Sequence, residues 1–236
     1  MVKSDRAQQI GEAIKRIQDQ IATAAVRAGR DPSEITLVAV SKNQEIEAIL
    51  AAYEFGLRDF GENRVQEALT KVSAVPADVN WHFLGQLQRN KARKAAEFAA
   101  LIHSLDRPAL AETLNRIGAE QGRQIAVLVE VNIGEEPSKG GVYPDQAVDL
   151  VEQLAGYAHL AIKGLMTVAP LVAQPDQARP FFARMRELAV KIAELKLPNV
   201  AMEILSMGMT GDFTAAIAEG STLVRIGEGI FGPRRQ

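Results

Sequence analysis

The chain has 236 residues, 47% of them hydrophobic and 24% charged, which is typical of a globular protein. Its formal net charge of −2 gives no general attraction to nucleic acid or to an anionic membrane surface. Since it contains no cysteine, disulfides and thiolate chemistry are excluded.

Neither the N-terminal segment nor the longest apolar run of the chain indicates a membrane protein. The N-terminal segment is polar and carries acids from the start, so it lacks the apolar core of a signal peptide. The longest apolar run, Ile125 to Ile133, is broken by Glu130 and Asn132 and is too short to span a bilayer. We therefore expect a soluble, cytoplasmic protein.

Helical and strand-like patterns alternate along the chain. Apolar residues at helical spacing predict a first helix over about Ser4 to Ala28, which Gly29 and Pro32 bring to an end. Eight short, nearly continuous apolar runs follow, as expected for strands of a parallel sheet covered on both faces. The predicted strands are Ile35–Ser41, Leu57–Gly61, Trp81–Leu84, Leu101–Ser104, Ile125–Val131, Ala161–Met166, Glu203–Met207 and Leu223–Ile226.

This alternation indicates an α/β protein with a parallel sheet. An open doubly wound sheet and a closed barrel share the local pattern, but eight strands in 236 residues match the size of a barrel. No glycine-rich dinucleotide fingerprint follows the first strand, and no Pro/Gly/Ser-rich linker divides the chain. We therefore predict a single domain, residues 1–236, folded as a (β/α)8 TIM-type barrel with an extra N-terminal helix.

Functional residues of such barrels lie at the C-terminal ends of the strands. Two segments there are rich in glycine and small residues, “SMGMTGDFTAAIAEG” after the seventh strand and “VRIGEGIFG” after the eighth. Barrels often bind phosphate with these two loops, because the backbone N–H groups at a helix start attract anions. The pair favours a phosphate site over ordinary turns.

Lys42, in “LVAVSKNQEIEAIL”, follows the first predicted strand at the start of a helix, where the helix dipole disfavours a cation. An amine in a mostly apolar site loses solvation, so its neutral form, which is a nucleophile for carbonyls, is favoured. The alternative is a solvated surface lysine. A Schiff-base lysine together with a phosphate loop suggests an aldehyde that carries phosphate, either pyridoxal 5′-phosphate or the sugar phosphate of a type I aldolase.

Seven short motifs are distributed in order over nearly the whole chain. They are “AVSKNQEIEAIL”, “DFGENRVQEAL”, “WHFLGQLQRNKAR”, “VEVNIGEEPSKGG”, “GLMTVAP”, “LSMGMTGDF” and “STLVRIGEGIFGPR”. Together they resemble the pyridoxal-phosphate homeostasis protein family. The resemblance implies a single-domain barrel, similar to the barrel domain of bacterial alanine racemases, that carries or regulates pyridoxal phosphate without an established reaction.

The resemblance also implies roles for individual residues. Lys42 would hold pyridoxal 5′-phosphate as a Schiff base, Asn63 and His82 would line the ring side of the pocket, and Arg225 would face the pyridine nitrogen. Phosphate contacts, partly through backbone amides, are expected from Ser206, Met207, Gly227 and Glu228. No metal site is expected, because the three histidines do not share metal-ligand spacing.

Arg225 bears on whether the protein is an enzyme. An arginine cannot accept the proton of the ring nitrogen, so the ring stays neutral and stabilises carbanions less well. A racemase also needs an acid or base on the other face of the substrate. By resemblance, alanine racemases take a tyrosine there from a second domain of the partner subunit, for which this chain has no room, and of its tyrosines only Tyr143 lies in a loop near the site.

We therefore predict a non-catalytic, monomeric pyridoxal-phosphate-binding protein that acts in cofactor homeostasis and hands the cofactor to client apoenzymes. The alternative is a weakly active pyridoxal-phosphate-dependent amino-acid racemase. Asn43, where a threonine is common, and Gln86, where a basic residue or histidine is often found, depart from the family's pattern. The basic run at 89–94 is interpreted as a solvated helix face, and the polar loop at 132–141 as either a mobile cover over the pocket or a plain surface loop.

Overall fold

The computed structural model describes residues 5–233 and contains a closed barrel of eight parallel strands in sequential order. The α/β barrel predicted from the sequence is therefore confirmed. The strands are β1 (Thr36–Val40), β2 (Asp59–Glu62), β3 (Asn80–Phe83), β4 (Ala99–Leu105), β5 (Ile125–Glu130), β6 (Leu160–Met166), β7 (Val200–Ser206) and β8 (Leu223–Ile226).

Helices surround the barrel on the outside. Within residues 5–233 the α-helices are α1 (Asp5–Arg27), α2 (Ile46–Glu54), α3 (Val65–Val72), α4 (Ala92–Phe98), α5 (Pro108–Gln121), α6 (Ala147–Leu154), α7 (Arg179–Glu194), α8 (Phe213–Ala218) and α9 (Glu228–Phe231). The predicted second strand began too early, at Leu57. Leu57 instead lies in the segment after α2, where its amide donates to the Ala52 carbonyl. No helix in this part of the chain is long and apolar enough to cross a membrane.

The apolar core has an outer layer between strands and helices and a smaller cluster inside the barrel. The inner cluster consists of Val38, Leu101, Leu128, Met166 and Leu223. Because side chains alternate along a strand, these residues identify the inward-facing rows of β1, β4, β5, β6 and β8. Polar side chains follow the inner cluster along the same rows toward the C-terminal ends, which is where the candidate site lies.

The extra N-terminal helix is also confirmed, although Ser4, its predicted first residue, lies outside the described residues. Four isoleucines of α1 are buried, and the helix packs against α2, α8 and α9. These elements flank the line along which the last strand meets the first. There β8 pairs with β1 over four residue positions, whereas β8 pairs with β7 only at Ser206 and Leu223. Helix α1 therefore covers the line along which β8 meets β1 and closes the barrel.

Candidate functional site

Lys42 lies in the turn that follows β1, at the C-terminal end of the barrel, and is half-buried. Val38 of β1 points into the barrel, where it packs against Leu101 and Leu128. Val40 continues this inward-facing row, and Lys42 comes two residues later. The sequence prediction that Lys42 stands at the rim of the first strand agrees with this position.

A cluster of ionisable side chains from β2 and α3 holds the turn. Lys71 Nζ donates to the Ser41 carbonyl (2.7 Å), and also to Glu62 Oε1 (2.8 Å). It donates as well to Glu67 Oε1 at 2.6 Å. The Ser41 hydroxyl donates to Glu62 Oε1, and the Asn43 amide donates to Glu67 Oε1, both at 2.6 Å. The residues on either side of the turn lysine are thus bound to one cluster, which fixes the backbone between them.

The pKa values of the two carboxyl groups in this cluster are shifted in opposite directions. Burial raises the pKa of Glu62, against the hydrogen bonds from Lys71 and Ser41. Burial would also raise the pKa of Glu67, but hydrogen bonds from Lys71 and the Asn43 amide outweigh it and lower that pKa. The turn therefore borders a charged cluster rather than the mostly apolar surroundings that the sequence suggested.

Asn43 has a left-handed backbone conformation, with φ of 60°. Asparagine adopts this region more readily than other non-glycine residues, whereas a β-branched residue is strained there. The local backbone therefore suits an asparagine at position 43.

Gly227 brings the end of β8 beside β1. A β-carbon built on Gly227 would lie 3.5 Å from both the Cβ and the carbonyl oxygen of Val40. Gly227 is also the N-cap of α9, a short helix of four residues that begins with Glu228. In barrels, a short extra helix near the last strands often forms part of a phosphate site. Two of the predicted phosphate residues, Gly227 and Glu228, thus lie beside the strand that leads to Lys42.

Arg225, on β8, places a buried cation inside the barrel. It is paired in register with Val38 and is 5% exposed. Its Nη1 donates to the Ser206 hydroxyl (2.6 Å), and its Nη2 donates to the Thr167 carbonyl (2.8 Å). Burial lowers the pKa of Arg225 to about 10, so the guanidinium stays charged at neutral pH. The hydroxyl of Ser206 is therefore bound inside the barrel, and its predicted contact with a phosphate stays a prediction.

The loop after β7 satisfies much of its own backbone. The Met207 amide donates to the Leu223 carbonyl at 3.1 Å, and the Met207 side chain is buried in the outer layer. The Met209 amide donates to Asp212 Oδ1 at 2.6 Å. Burial raises the pKa of Asp212, and the Met209 amide acts against that rise. The role of Met207 in binding phosphate likewise stays a prediction.

Asn63 follows β2 at the rim and is half-buried. Its Oδ1 is buried and has no hydrogen-bond partner among residues 5–233. A β-carbon at Gly85 would lie 2.2 Å from the Asn63 carbonyl, so only glycine lets the loop after β3 pack against this residue. Because an unsatisfied buried oxygen is costly, Asn63 suits a ligand that donates a hydrogen bond.

His82 lies deeper in the barrel than Asn63. It pairs in register with Gly61, two residues before Asn63, and it is 5% exposed. His82 Nδ1 is 2.9 Å from His103 Nε2, and His82 Nε2 is 3.0 Å from Asp59 Oδ1. Both ring nitrogens therefore have partners in the protein, and contact between His82 and a cofactor ring stays a prediction.

Glu130, at the end of β5, was not predicted as a site residue. It continues the inward-facing row of Ala126 and Leu128. Burial, with the charge of Asp106, raises the pKa of Glu130 to about 7, and Arg225 acts against this rise. Its Oε2 is buried and lacks a hydrogen-bond partner within the described residues. The sequence does contain a signal that could have identified Glu130, because this charged residue interrupts the longest apolar run.

The loop at 132–141 lies over the rim next to the loop after β3. Asn132 closes it, since Asn132 Nδ2 donates to the Glu136 carbonyl (2.8 Å) and the Glu136 amide donates to Asn132 Oδ1 (3.1 Å). A β-carbon at Gly140 would lie 2.2 Å from Gln86 Nε2, so the loop contacts Gln86 closely. The loop is thus placed as a cover would be, and its mobility stays a prediction.

The remaining candidates lie apart from this rim or are solvated. In the basic run, Arg93 is exposed and forms an ion pair with Glu120, which agrees with a solvated face. His159 precedes β6, at the N-terminal end of the barrel, and Tyr143 is 39% exposed. Among residues 5–233, no group of three or more His, Cys, Asp or Glu side chains is arranged to hold a metal ion.

The rim therefore combines an amine, a buried cation and unsatisfied oxygens. Lys42 provides the amine, Arg225 the cation, and Asn63 and Glu130 the buried oxygens without partners in the described chain. Gly227 and the start of α9 lie within the same rim. This set suits a small anionic molecule that carries a carbonyl group, which is the chemistry expected of pyridoxal phosphate.

Comparison with known proteins gives the class of the barrel. The model of the alanine racemase N-terminal domain family matches residues 13–235. Alanine racemase from Corynebacterium glutamicum shares the fold, with a TM-score of 0.72 at 15% identity over 97% of this chain and 62% of that chain. The chain is thus an alanine racemase-type barrel.

Closer relatives narrow this class. The pyridoxal phosphate homeostasis protein of Aquifex aeolicus (strain VF5) is 41% identical over 225 residues, 95% of this chain and 98% of the relative. PipY of Synechococcus elongatus PCC7942, solved with PLP bound, matches with a TM-score of 0.83 and 39% identity over 94% of this chain and 100% of that chain. The chain belongs to the pyridoxal phosphate homeostasis protein family, as its motifs predicted.

Proposed function

We propose that this chain binds pyridoxal 5′-phosphate at the C-terminal end of its barrel and serves in intracellular cofactor homeostasis. Residues 1–236 would act as one binding domain and as a monomer that passes the cofactor to client apoenzymes. When bound, pyridoxal phosphate supplies an aldehyde that can form a Schiff base with an amine. In this proposal Lys42 provides that amine, and the cofactor is stored without catalytic turnover.

The position of Lys42 carries the proposal. It lies half-buried at the end of β1, in a turn whose flanking residues are fixed by Glu62 and Lys71. A lysine on a fixed turn presents its amine to the rim with little loss of backbone freedom on binding. The relative PipY, solved with PLP bound, supports the choice of cofactor.

Other rim residues have complementary roles in the proposal. The unsatisfied Asn63 Oδ1 can accept a hydrogen bond from the ring side of the cofactor. Gly227, Glu228 and the loop with Ser206 and Met207 would hold the phosphate group. Arg225 would face the ring nitrogen as a donor only, which leaves the ring neutral and limits its use as an electron sink. That limit is why we favour storage over turnover.

Glu130 favours the alternative, a weakly active amino-acid racemase. Burial raises its carboxyl pKa to about 7, so near neutral pH it can both take up and release a proton. A racemase in this fold needs such a group on the far side of its substrate. A measurement of turnover therefore separates the two functions.

Lysine trapping tests the binding proposal. Protein incubated with pyridoxal phosphate is reduced with borohydride, and the site of the added mass is located by peptide mass spectrometry. We expect the adduct on Lys42 and its loss in Lys42→Ala. Lys139→Ala is the matched control, because the Lys139 amine is already bound by the Ala169 carbonyl and by Glu136, and its loss should leave the adduct in place. An unchanged adduct in Lys42→Ala would exclude Lys42 as the attachment site.

Racemisation of L-alanine and other amino acids by the loaded protein tests the absence of turnover. We expect a rate no greater than that of free pyridoxal phosphate at the same concentration. A clearly higher rate that is lost in Glu130→Gln would overturn the storage proposal and establish the racemase alternative.

A further inference from the structure

Five polar side chains form a continuous chain across the inside of the barrel. Asp59 Oδ1 lies 3.0 Å from His82 Nε2, and His82 Nδ1 lies 2.9 Å from His103 Nε2. His103 Nδ1 lies 3.0 Å from the Ser206 hydroxyl, which accepts from Arg225 Nη1 at 2.6 Å. The chain begins at the N-terminal end of β2 and ends at the arginine below the candidate site.

When both imidazoles are neutral, the two ends of the chain set the direction of every hydrogen bond in it. Arg225 can only donate, so the Ser206 oxygen accepts from it. Asp59, as a carboxylate, can only accept, so His82 must donate from Nε2. If His82 carries its proton on Nε2, then its Nδ1 accepts from His103. His103 in turn donates from Nε2 and accepts the Ser206 hydroxyl proton on Nδ1.

Burial agrees with a neutral imidazole at His103, in the middle of the chain. His103 is fully buried, and this burial keeps its pKa well below 6.5. A neutral imidazole has one donor and one acceptor nitrogen, as the arrangement requires. The two rings also meet edge to face, with centroids 5.1 Å apart. With neutral imidazoles, a reversed direction would set two acceptors against each other at Asp59.

We propose that Asp59, His82 and His103 are positioning residues that hold Arg225 in place through the Ser206 hydroxyl. The carboxylate of Asp59 fixes the tautomer of His82, which fixes that of His103. His103 Nδ1 then accepts a hydrogen bond from the Ser206 hydroxyl, so the oxygen lone pairs of Ser206 remain available to the guanidinium. That Arg225 acts on a bound cofactor rests on the proposed function, whereas the direction of the chain does not.

Asp59 connects this chain to solvent at the opposite end of the barrel. Its side chain is 27% exposed, and it lines an open cavity of about 540 Å³ together with Ile35, Leu37 and Arg58. Asn80 Nδ2 also donates to Asp59 Oδ1, at 3.3 Å. A group reachable from the N-terminal end thereby influences an arginine below the C-terminal rim.

Nitrogen-15 NMR of the histidine side chains tests this proposal in protein without added cofactor. The chain has three histidines, so the signals are few, and His159, outside the hydrogen-bonded chain, serves as an internal reference. We expect a protonated Nε2 and an unprotonated Nδ1 for both His82 and His103 in the wild-type protein. A protonated Nδ1 on either residue would overturn the proposal without any variant.

Asp59→Ala tests the coupling, with Asp149→Ala on the exposed face of α6 as the control. In Asp59→Ala we expect His103, which does not contact Asp59, to populate both neutral tautomers. We also expect rotation of the Arg225 guanidinium to speed up at least about threefold as its bond to Ser206 weakens. A change confined to His82, or Arg225 rotation equal to that of the control, would show that Asp59 plays a merely local role. Neither measurement depends on pyridoxal phosphate, so failure of the proposed function would be seen separately.

Discussion

Replacing Lys71 with methionine tests the ionic cluster that holds the turn around Lys42. Lys71 has a side chain that is 5% exposed, and it donates to the Ser41 carbonyl and to two carboxylates. Methionine keeps most of the aliphatic volume but removes the charge and all the donors. The variant leaves the Glu62 carboxylate, which is 0% exposed, without its cation.

The expected loss of stability follows from the burial of this pair. Removing one partner of a buried ion pair costs about 3–5 kcal/mol. Two features reduce that cost here. The bond to Glu67 contributes only about 0–1 kcal/mol, because that side chain is 22% exposed and can be rehydrated. Glu62 can also take up a proton, since burial already raises its pKa. We therefore expect Lys71→Met to lower the free energy of unfolding by about 2–4 kcal/mol at pH 8.

This loss should be smaller at pH 5. Without Lys71 the pKa of Glu62 in the folded protein rises further, whereas in the unfolded chain it stays near its usual value of 4.5. Between these two values the folded state holds a proton that the unfolded state has lost, so stability falls as pH rises. The neutral form present at low pH carries no unpaired charge.

Urea unfolding at pH 5 and pH 8 measures both expectations. Lys94→Met is the matched control, because Lys94 is exposed on α4. The double variant Glu62→Gln/Lys71→Met removes both charges and should recover most of the loss. If Lys71→Met unfolds at the same urea concentration as the control at pH 8, or loses equal stability at both pH values, the assigned role of the cluster is wrong.

Two further changes test residues at the rim. Glu130 has a pKa of about 7 when folded against a usual 4.5, so the wild-type protein should lose stability as pH rises between these values. Glu130→Gln should not show this loss in thermal melts. Allowing for the partial exposure of the side chain, we expect the variant to be more stable than wild type by about 1–3 kcal/mol at pH 8, and no more stable at pH 4. Equal pH profiles of the two proteins would contradict the buried position of this carboxyl group. Gly85→Ala places a β-carbon 2.2 Å from the Asn63 carbonyl and should cost about 1–3 kcal/mol. Gly156→Ala, with open space around it, is the control, and equal melting temperatures would count against the close packing.

The strands of this barrel are predictable from sequence because most are apolar on both faces. Ile125 to Glu130 is an example, since its outward residues pack under helices and its inward residues pack inside the barrel. The position of Lys42 at a strand end is predictable for the same reason, because the end of an apolar run is visible in the sequence. The family resemblance was needed to name the cofactor.

The supporting contacts are not visible in the sequence. Lys71 reads as an ordinary helical lysine with an acid four residues before it, and only the docking of α3 on the barrel buries it against Glu62. Asp59 and Arg225 are more than 160 residues apart and become connected only because the closed barrel turns both inward. Such contacts depend on register and closure, which local patterns do not encode.

The closure between β8 and β1 has a consequence for biosynthesis. Arg30 donates to the Ser221 carbonyl across 191 positions of sequence, and β1 pairs with residues of β8 that are translated long after it. A growing chain therefore keeps one edge of β1 unpaired until Ile226 has left the ribosome, and exposed edges invite pairing with other chains. We expect ribosome-bound chains that stop before β8 to recruit chaperones, and full-length chains to release them.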